Sequence, residues 1–99
     1  MNALEYGQML KELFEDRINS LSITEVYYTT LKNQTITEKV KSKYEILIME
    51  TQLCLDFLNQ RLDKLNKVLE LNKKIQNENV PFNEKIACMV EVSDIMQDL

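Results

Sequence analysis

The chain has 99 residues, 44% of them hydrophobic and 28% charged, with a formal net charge of −4. This is the make-up of one folded domain with room for a single core, and it excludes collagen-like and disordered chains. His is absent, which removes the commonest general base and metal ligand, and a pI near 4.8 argues against a surface devoted to nucleic acid or to an anionic membrane.

Residues 2–21 carry Ala3, Tyr6, Leu10, Leu13, Phe14, Ile18 and Leu21 at spacings of three and four, which predicts an amphipathic helix. Gly7, the sole glycine, falls within its first turns. It costs about 1 kcal/mol relative to Ala there and points to fraying or to the close approach of another backbone. Met1 to Leu13 includes Glu5 and Glu12 and lacks the basic and apolar regions of a signal peptide. No stretch reaches the roughly 20 apolar residues of a transmembrane helix.

Ser22 and Glu25 have the spacing of a capping box, so a second helix is expected over residues 23–33. Its inner face would be Ile23, Val26, Tyr27 and Leu31, with Tyr28 half exposed. The run from Val26 to Thr30 is rich in β-formers and also fits one arm of a hairpin with Thr35 to Val40. No Asn-Gly or Asp-Gly lies at Lys32 to Gln34 to close that hairpin. One bent helix over residues 2–33 is a further alternative.

Thr35 and Glu38 repeat the capping-box spacing, and nothing interrupts a helix over residues 36–76, about 60 Å of rod at 1.5 Å per residue. A heptad seam runs through Tyr44, Ile48, Thr51, Leu55, Leu58, Leu62, Leu65, Leu69 and Asn72. A second row, Ile46, Met49, Leu53 and Phe57, lies on roughly the opposite side. Packing is therefore expected to be densest around Tyr44 to Leu58, with the portion after Arg61 sheltered on one side. A compact domain of this size is about 35 Å across. Such a helix either breaks near Asn59 and Gln60 or projects and offers Leu62, Leu65 and Leu69 to another chain.

Gln76 to Val80 is polar and Pro81 forbids continuation, so a last helix over residues 84–98 is predicted, capped by Asn83 and stapled by Phe82. Ile86, Met89, Val90 and Met96 lie to one side, with the methionines read as core fillers. Cys88, Val92, Ile95 and Leu99 continue the band, and Glu91, Asp94 and Asp98 form a polar stripe. Cys54 and Cys88 lack a CxxC pairing and read as buried free thiols, which suits a reducing cytoplasm.

These elements predict an all-α fold, a three- or four-helix bundle built on one long central helix with coiled-coil-like packing, spanning residues 1–99 as a single domain. The carboxylates lack the ExxH spacing of di-iron bundles and the Ca²⁺-loop pattern, and one glycine cannot build a phosphate loop. No catalytic residue, metal or cofactor is expected. The expected function is non-catalytic: a helical protein–protein interaction module (adaptor, chaperone or inhibitor), paired as a homodimer through Leu62, Leu65 and Leu69 with Val92, Ile95 and Leu99. The alternative is a nucleic-acid-associated subunit using Arg61, Lys64, Lys67 and Lys74. From Arg61 to Lys74, five cations face two acids, Asp63 and Glu70, a net of +3. No aromatic side chains interleave them to stack bases.

Overall fold

In the computed structural model, which describes residues 2–98, three helices and no strand form the all-α bundle expected: α1 (Ala3–Gln34), α2 (Glu38–Gln76) and α3 (Phe82–Gln97). α1 begins on a side-chain cap. The Glu5 amide donates to Asn2 Oδ1 at 2.9 Å, and Asn2 Nδ2 donates to Glu5 Oε1 at 3.4 Å, a reciprocal arrangement akin to a capping box.

The two helices expected over residues 2–21 and 23–33 are one. Ser22 stands in mid-helix, and the nearby hydroxyls bond backward: Thr24 Oγ1 donates to the Ser20 carbonyl at 3.0 Å and Thr30 Oγ1 to that of Val26 at 2.9 Å. A hydroxyl satisfied within its own helix does not end it. Thr35 behaves likewise, donating to the Leu31 carbonyl at 2.8 Å, so it closes α1 instead of capping α2. The carbonyl of Thr37 accepts the first amide bonds of α2, from Val40 at 3.2 Å and Lys41 at 3.0 Å, which moves the expected start from Ile36 to Glu38.

α2 passes through Asn59 and Gln60 without a break. It ends in a turn in which the Asn79 amide donates to Asn77 Oδ1 at 3.0 Å and the Val80 amide to the Asn77 carbonyl at 3.2 Å. Pro81, extended at φ −58° and ψ 147°, precedes α3, and its carbonyl accepts from the Lys85 amide at 3.1 Å. Asn83 is thus inside the first turn and caps nothing. Phe82 is 71% exposed and forms no staple.

The contacts divide the chain into two compact units, one of residues Phe14–Gln60 and one of residues 2–13 with 61–98. The unit Phe14–Gln60 is a helical hairpin turned by residues 35–37. A seam of inner residues runs on α1 through Phe14, Ile18, Leu21, Glu25, Tyr28, Lys32 and Thr35 and on α2 through Lys41, Tyr44, Ile48, Thr51, Leu55 and Leu58, with Thr24, Leu31 and Leu47 half-buried beside it. Both series step by three and four, the knobs-into-holes period. Tyr28 meets Tyr44 with ring centroids 6.4 Å apart, and Lys32 Nζ lies 3.3 Å from Glu45 Oε1.

This register explains a reversal. In one continuous helix the seam after Leu21 continues to Glu25 and Tyr28, which rotates Ile23, Val26 and Tyr27 outward, where they are exposed. The expected inner face of residues 23–33 had the phase of a helix restarted at Ser22, and of its four residues Leu31 alone is half-buried. Tyr6 and Leu13 are outward too, while Gly7 is buried and Leu10 half-buried.

The other unit contains the buried hydrophobic residues found among the described ones, Leu65, Val68, Leu69 and Leu71. They fall on two adjacent rows of α2. The seam row of Leu62, Leu65 and Leu69 faces the start of α1, because Leu69 lies against Gly7. The neighbouring row of Lys64, Val68, Leu71 and Ile75 is the one left for α3, which an ion pair ties to α2 (Lys67 Nζ to Glu91 Oε1, 3.9 Å). The expected distribution of packing is therefore inverted. The stretch after Arg61 is sheltered on two sides, whereas Tyr44 to Leu58 has one helix to pack on.

Candidate interaction surfaces

Of the residues expected to meet a partner, two are buried within the chain and three are half-buried. Leu65 and Leu69 are each 5% exposed, and Leu62, Val92 and Ile95 are half-buried within the same unit. On α3 the inward row is Lys85, Cys88, Val92 and Ile95. Leu99 lies outside the described residues. A side chain already withdrawn from water by its own chain gains little from a second one, so Leu65 and Leu69 belong to the core of their unit, while Leu62, Val92 and Ile95 keep part of their surface open.

Apolar rows face outward instead. On α2, Ile46, Met49, Leu53 and Phe57 are 57, 61, 64 and 56% exposed, although the spacing of this second row leads one to expect cover on both faces. Within the same unit, Leu53, Cys54, Phe57 and Leu58 join Arg17 and Leu21 of α1 around a groove of about 340 Å³. The groove is predominantly apolar, and Arg17 supplies its cation. Cys54 is exposed and Cys88 half-buried, both as free thiols, so the buried-thiol expectation fails outright for Cys54. On α3, Phe82, Ile86, Met89 and Met96 form an outer row at steps of four, three and seven. All four are exposed, with Val90 beside them, so Met89 and Met96 do not fill the core.

Of the basic residues, Arg61 and Lys64 are half-buried, whereas Lys67, which approaches Glu91, and Lys74 are exposed. In the unit of residues 2–13 and 61–98, a polar groove of about 410 Å³ gathers Lys11, Lys67 and Lys73, but Asp63 and Glu70 line it too. Interleaved charges of both signs weaken the potential that would draw a phosphate backbone.

Among the described residues, no group of three or more Cys, Asp or Glu side chains is placed to hold a metal ion, and no helix is long and apolar enough to cross a membrane. Comparison with protein-family models, with curated proteins and with solved structures gave no match to this chain.

Both outer rows were visible in the sequence as apolar positions. What the sequence concealed was which row each neighbouring helix takes. The missing cue was the phase of α1, which passes Ser22 unchanged and makes Leu21, Glu25 and Tyr28 its inner positions.

Proposed function

We propose that this protein is a non-catalytic helical module that works by binding protein, including a second copy of itself, through the outer apolar rows of its helices. One observation carries the reading. Among the described residues, seventeen large hydrophobic side chains are exposed and four hydrophobic residues are buried. Scattered exposed apolar side chains are ordinary, but rows at helical spacing are what an amphipathic partner helix reads. The outer row of α3 is the surface for a partner protein. Methionines at 89 and 96 lend it the adaptable shape that suits a contact surface, and their unbranched chains repack at little cost.

Relative to the sequence expectation, the contact moves from Leu62, Leu65, Leu69, Val92 and Ile95 to the rows beside them. The nucleic-acid alternative loses ground, because Lys67 approaches Glu91 and Asp63 and Glu70 share the groove with the lysines.

The test is capture from the native source with wild type and Met89→Asp. Met89 is 48% exposed, so the variant keeps its helicity and thermal midpoint. The proposal expects a defined protein in stoichiometric amount on wild type and its loss from Met89→Asp. Equal capture by both, or no stoichiometric protein on wild type, contradicts it.

A further inference from the structure

We propose that the outer row of α3 docks an amphipathic helix of another protein whose apolar face is bordered by lysine or arginine, with Asp94 and Asp98 receiving those cations. The inference rests on the protein-binding reading and names the chemistry of the partner.

The row itself sets the shape of that partner. Phe82, Ile86, Met89 and Met96 are all exposed, with Val90 exposed beside them. From Phe82 to Met96 the helix rises about 21 Å, or four turns, which matches the apolar face of a short helix laid along it.

Charge selects the partner's sign. Residues 82–98 hold four acids, Glu84, Glu91, Asp94 and Asp98, and one lysine, a net of −3 in a chain of −4. All four acids are exposed, whereas Lys85 is half-buried on the inward row. Steps of four lead from Ile86 through Val90 to Asp94 and Asp98, so these two carboxylates continue the edge of the apolar strip. Glu91 has Lys67 at 3.9 Å, but among the described residues no cation forms an ion pair with Asp94 or Asp98.

The end of the helix adds a second reason for a cation. Asp94 and Asp98 stand at the spacing where like charges repel along a helix, and they flank its last turn, where the free carbonyls already concentrate negative potential. No basic residue lies in that turn. Lysines or arginines brought by a partner relieve both repulsions, so the binding energy and the local stability of α3 call for the same sign of charge. A second copy of α3 brings no such cation, because its lysine is on the inward row, and this edge repels nucleic acid and anionic membranes.

Fluorescence anisotropy of a dye-labelled helix of about 16 residues, built of leucine on one face and lysine on the other, tests this when titrated with the full chain at about 50 mM salt. The leucine–lysine helix is expected to bind at micromolar concentrations, about tenfold more tightly than a version with glutamate at every lysine position. The double variant Asp94→Lys with Asp98→Lys should reverse that preference while keeping or raising helicity, since it places cations at the helix C-terminus. Met89→Asn, which changes no charge, should weaken the leucine–lysine helix about tenfold with helicity intact, because Met89 is exposed. Failure of that helix to bind, equal binding of the two helices, a preference that survives the double variant, or indifference to Met89→Asn each overturns the proposal. So does a dimer of the chain alone that Met89→Asn abolishes, which would make a second copy the occupant. Capture of a native partner that depends on Met89 would survive any of these results, because it does not require the partner to be basic, so failure here is distinguishable from failure of the protein-binding reading.

Discussion

Gly7 of α1 lies against Leu69 of α2 so closely that a Cβ built on it would sit 2.5 Å from Leu69 Cδ2. Leu69 is 5% exposed, so its side chain has little room to turn away. The glycine that reads in the sequence as a weak point of the first helix is instead a place where that helix lies close against the core. Alanine has the better helix propensity by about 1 kcal/mol, but crowding a packed leucine costs about 1–3 kcal/mol. Gly7→Ala is therefore expected to lose about 1 kcal/mol in urea unfolding, and in a Leu69→Ala background the same change should be neutral or stabilising. Stabilisation of the otherwise wild-type chain would show that the contact relaxes freely.

Ser22 separates one helix from two. As an N-cap, Ser22→Ala would cost about 1 kcal/mol. As an exposed mid-helix residue of α1, it should gain a few tenths of a kcal/mol from the better propensity of alanine. Circular dichroism and urea unfolding of Ser22→Ala are expected to give slightly greater helicity and stability. A loss near 1 kcal/mol would favour a break at that residue.

The placement of the core gives a paired comparison. Leu71 is 3% exposed and Leu53 is 64% exposed, although the sequence reading expects denser packing around the latter. Leu71→Ala is expected to cost about 2–4 kcal/mol through lost burial and the cavity left behind. Leu53→Ala should stay within about 0.5 kcal/mol when measured below the concentration at which chains associate. Equal costs in thermal unfolding would place the core elsewhere.

Thr51, 7% exposed, is a polar residue in the apolar seam, with its hydroxyl donating to the Leu47 carbonyl at 2.8 Å. That carbonyl also lies in the backbone ladder of α2, so removing the hydroxyl strands no buried acceptor. Thr51→Val keeps the branched shape and is expected to stabilise the hairpin by about 0.5–1 kcal/mol in urea unfolding. A loss of more than 1 kcal/mol would mean that the hydroxyl is needed where it is.

These residues show how far the sequence could be read. The helical class, the turn at residues 77–81 and the seam from Tyr44 to Asn72 follow from local rules: propensity, proline and asparagine chemistry, and the spacing of apolar residues. The phase of residues 23–33 does not. Ser22 with Glu25 and Thr35 with Glu38 satisfy the same capping pattern as Asn2 with Glu5, yet only the last of these pairs forms a cap. A hydroxyl can bond forward to a free amide or backward to a carbonyl, and the chain neighbours that decide between them are tertiary. Leu62, Leu65 and Leu69 were legible as an apolar stripe in need of cover. That the cover comes from Gly7 and the start of α1 depends on a close approach for which a lone glycine is the sole trace.

The claim on which the account turns is that the outer row of α3 is open in the chain alone and closed by a partner. Methionine oxidation reads this directly, because Met49, Met89 and Met96 are 61, 48 and 54% exposed. With peroxide, all three are expected to oxidise rapidly in the chain alone, and Met89 and Met96 to become protected in the complex captured from the native source. A Met89 that reacts slowly in the chain alone, or at the same rate in the complex, would contradict the account.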